Sequence, residues 1–271
     1  MYELSLVSLI ALCLVSFIGV PHGSFDGAVA ALLGYKSKKQ FLLFIFLYTI
    51  ISIAVVIFWI YFPIIALLIF IFMSIIHFGL CDWSYLNIRN YKWLITLTHG
   101  INIIFGIIYF HSEEAFKIFS FLSNENFYFF QNYLYIAYSI YLALAVIYFY
   151  CSFKEKKMRW GILEMALILI IASQIDPLTG FALYFCFVHT TKHVKAILKN
   201  TNKYIDNKNF VLKSTAIFTL LTWLGGCAAI IYLSNNFSFS ESFIKTIFIG
   251  LAALTLPHMT LIDFFYRKKF N

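Results

Sequence analysis

Residues 41–61 read FLLFIFLYTIISIAVVIFWIY, an unbroken apolar stretch with no charged side chain. About 20 such residues in a helix cover the hydrocarbon core of a bilayer, so this stretch reads as a membrane-spanning helix. Working outward, runs of similar length begin near Leu4, Pro63, Trp93, Phe127, Trp160, Pro177, Phe210 and Ser242, which makes nine candidate spans with the run from Phe41. Spans two and three are separated only at Tyr61-Phe62-Pro63, and spans six and seven only by Gln174-Ile175-Asp176-Pro177. If either junction is continuous, the count becomes eight. The expected fold class is all-α: a polytopic integral membrane helix bundle, organised as one transmembrane domain over residues 1–271.

Composition agrees. The chain is 62% hydrophobic and 12% charged, with a mean hydropathy of +0.86, where a soluble domain is about a quarter charged. Its 32 Phe and 18 Tyr present more aromatic surface than one water-soluble core would hide. Most of these rings are read as lipid-facing surface and interfacial belt. Cys13, Cys81, Cys151, Cys186 and Cys227 are scattered and form no Cys-x-x-Cys pair, which argues against a disulfide framework or zinc knuckle. The first apolar run lacks a basic start, and Gly19-Val20-Pro21-His22-Gly23 is unlike a small-residue cleavage site, so it is expected to be a retained helix.

Charge orients the bundle. Lys36, Lys38 and Lys39 follow span one, and Arg89 and Lys92 follow span three. Lys154, Lys156, Lys157 and Arg159 follow span five, six lysines from Lys192 to Lys213 follow span seven, and Arg267, Lys268 and Lys269 follow span nine. Of the 20 basic residues, only Lys117 and Lys245 fall on the other set of loops. Basic residues concentrate in cytoplasmic loops, so nine crossings place the N-terminus outside and the C-terminus inside. The net charge of +8 is then topology with anionic lipid contact. No basic face interleaved with exposed aromatics indicates nucleic-acid binding.

Ionisable groups inside spans are costly, which makes each a functional candidate. His22, His77, His99, His189, His193 and His258 all fall in the expected cytoplasmic half, near Asp26, Asp82, Glu164 and Asp263. His111, beside Glu113 and Glu114 at the other end, reads as a solvated loop residue. His189 and His193 are four apart and project from one helix face, a spacing at which two imidazoles share a metal. A lone intramembrane His such as His99 or His258 is more often a hydrogen-bonded packing residue. Four histidines on three helices at one depth point instead to a metal. Imidazoles suit iron, copper, zinc or nickel. Nearby carboxylates, Asp26 and Asp82 foremost, fit as acceptors that orient the ligand rings.

Pro21-His22-Gly23 with Asp26, His77-Phe78-Gly79 with Asp82, His189-x-x-x-His193 and Leu256-Pro257-His258-Met259 together resemble the Brp/Blh family. These are bacterial and archaeal membrane β-carotene 15,15'-dioxygenases, often found beside microbial rhodopsins. The resemblance runs in order from span one to span nine. It implies a single oxygenase domain in the cytoplasmic membrane, with a non-haem Fe(II) held by His22, His77, His189 and His193. It also implies O2-dependent cleavage of the central double bond of β-carotene to two all-trans-retinal. Asp26, Asp82, Glu164, His99 and His258 are expected behind the ligands. Phe78, Trp83, Tyr184, Phe185 and Phe187, close to them in sequence, are expected to line an apolar substrate cavity open to lipid. One departure stands out: the family pattern has Asp-His where this chain has Asp26-Gly27.

Other readings stay open on the residues alone. A membrane di-iron desaturase or hydroxylase uses adjacent His-His pairs, which this chain lacks. A b-type haem protein needs two facing histidines, and His77 with His189 would serve. A transporter with an inner-side ion site would be expected to show repeated broken helices, which the sequence does not. A rhodopsin needs a mid-span lysine in its last helices.

Overall fold

The computed structural model describes residues 4–35, 37–86, 88–205 and 208–270; Lys36 of the expected inner-side cluster lies outside them. The described residues form helices and connecting turns, and no strand occurs among them. Inside a bilayer a helix satisfies its own backbone donors and acceptors, which is why such apolar runs fold this way. In chain order the helices are α1 (Leu6–Leu33), α2 (Lys38–Tyr61), α3 (Pro63–Leu86), α4 (Lys92–Phe110), α5 (Ser112–Ser123), α6 (Phe127–Lys154), α7 (Met158–Ala172), α8 (residues 177–204), α9 (Asn209–Leu233) and α10 (Phe239–Lys269).

Local chemistry sets the boundaries. Ser37 and Gln40 form a reciprocal capping box at the start of α2, with hydrogen bonds of 3.2 and 3.1 Å. Phe62 leaves the helical region (φ −134°, ψ 59°), and Pro63 opens α3 at a position where its missing N–H costs nothing. Asp176 caps α8 by accepting from the Thr179 amide at 3.1 Å, with Pro177 next in sequence. Both doubtful junctions are therefore helix boundaries. Among the described residues, seven helices are long and apolar enough to cross a membrane: α1, α2, α3, α4, α6, α9 and α10. The expected sixth and seventh spans are helical but differ from these. α7 has only 15 residues, and α8 ends in the polar stretch Thr190–Tyr204.

Two local expectations are corrected. α5 is an amphipathic helix where a loop was expected, with Glu113 and Glu114 in its first turn and Phe116, Phe119 and Leu122 buried. Negative charge at a helix N-terminus is favourable. His111 is partly buried rather than solvated, and its Nε2 donates to the Ala172 carbonyl at 3.0 Å. It thereby satisfies an otherwise open acceptor at the end of α7.

The chain divides into two compact units. The first joins residues 1–66 to 185–271, and the second is Leu67–Tyr184. In the first, α2 packs on α10 and α9 on α1. Thr219 donates to Ser24 at 2.8 Å and the Trp223 indole to the Ser16 carbonyl at 3.0 Å, which ties α9 to α1. In the second, α4 packs on α6 and α7. There α3 and α4 meet backbone to backbone. A Cβ at Gly79 would overlap the Thr96 carbonyl, and one at Gly100 the Ile75 carbonyl.

Candidate metal centre

The candidate ligands of the first unit sit where helices lose regularity. In α1 a π-helical turn, Val15–Gly19, runs into a 3-10 turn, Val20–Phe25, before regular helix resumes at Asp26. Pro21 lies at that change and cannot donate to a carbonyl one turn back. His22 follows it, and its Nδ1 hydrogen-bonds the Gly19 carbonyl. In α8 the π turn Tyr184–His189 delivers His189, and His193 follows one turn later in regular helix. In α10 Pro257 precedes His258, and the π turn Thr260–Tyr266 begins two residues on. A π turn inserts a residue into the 3.6-residue period and re-aims the side chains around it, and such turns are frequent at functional sites.

These four histidines are buried: His189 is fully so, and His22, His193 and His258 are at most 8% exposed. Their rings gather around His22. The His189, His193 and His258 centroids lie 5.1, 5.3 and 5.3 Å from it, each ring within 7° of perpendicular to it. His193 lies 5.0 Å from His258 and 5.7 Å from His189. Two imidazoles bound to one ion through nitrogens at about 2.1 Å have ring centres on the order of 5 Å apart. The donor set therefore fits a metal of the imidazole-binding group.

The supporting groups fit as well. Asp26 is fully buried and accepts from His258 Nδ1 at 2.9 Å and from the Tyr48 hydroxyl at 2.9 Å. With the Nδ1 protons of His22 and His258 given to Gly19 and Asp26, each neutral ring carries its lone pair at Nε2, the form in which imidazole binds a metal. Asp26 was expected behind the ligands, and its histidine partner is His258. Phe44, Tyr48 and Phe218 pack edge to face or tilted beside it. A Cβ at Gly27 would come within 3.1 Å of Ser214 and 3.2 Å of Phe218. Side chains of α9 thus fill the position where the family pattern has histidine.

In the second unit His77 is buried on α3, its ring nitrogens 3.6 and 3.8 Å from Cys81 Sγ one turn on. Asp82, fully buried, accepts the Tyr184 hydroxyl at 2.5 Å, and Phe78 stands edge-on to Tyr184. His99 and Trp83 are stacked at 3.5 Å in a packing core with Tyr148, Met158 and Met165. His99 Nε2 donates to the Tyr148 oxygen at 3.0 Å, while that hydroxyl donates to the Met158 carbonyl. Glu164 accepts from the Tyr85 hydroxyl at 2.9 Å. Back in the first unit, Phe185 stacks on His189 and stands edge-on to His22, whereas Phe187 is 53% exposed.

His258, expected behind the ligands, has its ring in the cluster around His22. The repeat of Pro-His in Pro21-His22 and Pro257-His258 was the available signal.

A family model described as β-carotene 15,15'-dioxygenase matches residues 13–266. A curated relative named β-carotene 15,15'-dioxygenase, from uncultured marine bacterium 66A03, is 32% identical over 266 residues, covering 97% of this chain and 96% of its own. No solved structure matches. On the span and strength of these matches, the chain belongs to the β-carotene 15,15'-dioxygenase family.

Proposed function

We propose that this chain cleaves the central 15,15' double bond of β-carotene with O2 at a non-haem Fe(II) held by His22, His77, His189 and His193. One C=C bond is broken and two C=O bonds form. Both oxygen atoms end in product, one in each all-trans-retinal, so no external reductant enters the balance. The observation that carries this reading is the gathering of buried imidazoles around His22 in an apolar, all-helical chain of this family. His77 enters on its motif and its burial. Iron bound there would supply a spin-allowed route for O2 to react with a closed-shell polyene.

The chain's own residues do the rest. Gly19 and Asp26 hold the His22 and His258 rings in one tautomer. Phe185, stacked on His189, gives the site an apolar wall that keeps water out. Phe78 and Tyr184 are the aromatic residues proposed to meet the polyene near the His77 motif. A C40 hydrocarbon dissolves in lipid, so the substrate enters from the bilayer, in our reading the cytoplasmic membrane of a bacterium with the N-terminus outside. The aldehyde product suits a retinal-binding protein such as a microbial rhodopsin.

The test is expression in a bacterial host that accumulates β-carotene, with pigments extracted and retinal quantified beside a His189→Ala version. Loss of colour with retinal appearing, abolished by the substitution, is the expected outcome, and 18O2 should label each retinal once. Intact carotene with folded protein in the membrane overturns the reading. An intense haem Soret band in the purified protein would point to a haem site instead.

A further inference from the structure

We propose that His258 is itself a metal ligand, and that Asp26 and Tyr48 are positioning residues that hold its ring. This inference rests on the reading of the site as a metal centre and not on the identity of the substrate.

Seen from His22, nothing in the geometry separates His258 from His189 and His193. The three rings stand 5.3, 5.1 and 5.3 Å away at 83°, 86° and 90°. His258 also lies closer to His193 than His189 does, at 5.0 against 5.7 Å. A histidine serving only to pack would need no carboxylate. A fully buried Asp in a membrane helix is costly unless its oxygens are engaged by donors. Asp26 binds the His258 Nδ1–H and the Tyr48 hydroxyl, both at 2.9 Å. That is the arrangement by which a carboxylate fixes a ligand imidazole and raises its basicity toward a metal. His99 has a different setting: its ring stacks on the Trp83 indole and its Nε2 meets the Tyr148 hydroxyl.

The position on the chain also suits a ligand. His258 follows Pro257 in α10 and precedes a π turn, as His22 follows Pro21 in α1 and follows a π turn. Two helices widely separated in sequence thus bring a Pro-His pair into the same cluster, each beside a π turn.

The test uses the full chain purified in detergent, with anaerobic Fe(II) titrated against a chelator and Co(II) substitution read by its visible ligand-field bands. His258→Gln keeps a donor for Asp26 but removes the imidazole. It is expected to lower metal affinity more than 100-fold and to change the Co(II) spectrum. Asp26→Asn leaves His258 present, and its affinity should fall 10–100-fold, the usual size for a group behind a ligand. His111→Gln, in the second unit, should leave both readouts unchanged. Wild-type affinity and an unchanged Co(II) spectrum in His258→Gln overturn the inference. If that variant fails to fold, His258→Asn takes its place on the same two readouts, and wild-type affinity in Asp26→Asn overturns the positioning role. A wild-type protein that binds iron but leaves carotene intact would sink the proposed reaction and not this inference. Retinal formation with wild-type metal binding in His258→Gln would do the reverse.

Discussion

Each of the two units buries an aspartate that accepts a tyrosine hydroxyl, Asp26 from Tyr48 and Asp82 from Tyr184, yet the helices around them differ in kind. Two π turns, Val15–Gly19 and Thr260–Tyr266, interrupt the first unit, and a third, Tyr184–His189, straddles its edge. The second is built on close contact of regular helices, with Gly79 on Thr96 and Gly100 on Ile75. Their histidines follow suit. His22, His189, His193 and His258 converge on one another, whereas His99 is absorbed into packing between Trp83 and Tyr148. Of the candidate ligands, His22 and His189 stand on distorted turns and His258 just before one, whereas His77 and His193 stand on regular helix. A buried histidine alone identifies neither role; its partners do.

Four substitutions would break or sharpen that contrast. The largest effect is expected from His189→Ala, which removes an imidazole from the cluster. Retinal formation should fall by at least about 100-fold, beyond the loss typical of a residue behind the ligands, and chromatography of extracted pigments reads it. Activity within a few-fold of wild type would remove His189 from the site. Next comes Gly79→Ala. Its methyl would press on backbone that cannot swing aside, so a loss of about 2–3 kcal/mol of stability is expected. Thermal unfolding in detergent measures it, and an unshifted Tm would mean that α3 and α4 are not in tight contact.

A smaller effect is expected from His99→Phe, which keeps an aromatic ring on Trp83 and deletes the hydrogen bond to Tyr148. About 1 kcal/mol of stability should be lost, with metal content unchanged; a drop in bound metal would show that His99 serves the site. The mildest is Tyr48→Phe. Asp26 then loses one of its two donors but keeps His258, so metal affinity should weaken less than tenfold, by chelator titration. A loss equal to that of Asp26→Asn would make Tyr48, rather than His258, the decisive partner of Asp26.

Much of the scaffold was legible in the chain. Runs such as residues 41–61 cannot be hydrated economically, and α2 and α3 appear where the apolar runs and Pro63 put them. The i, i+4 spacing put His189 and His193 on one face, and their rings lie 5.7 Å apart. Less was legible wherever the helix period itself changes. No residue pattern announced the π turns, and α5 was hidden because 12 residues are too few to stand out as a span. His99 and His258 are each a lone histidine in an apolar run, and only the Pro-His pair set His258 apart.

The sequence by itself determined the all-helical, membrane-spanning character of this protein, because hydropathy and helix capping act over a few neighbouring residues. It also marked which histidines deserved suspicion, because a polar group in an apolar run is conspicuous wherever it lies. Only the tertiary structure decided that His258 stands beside Asp26, 232 positions away, and that His99 faces Trp83 and Tyr148 instead. Such pairings depend on which helices meet and how a π turn rotates each face, and these are properties of packing that no local pattern encodes.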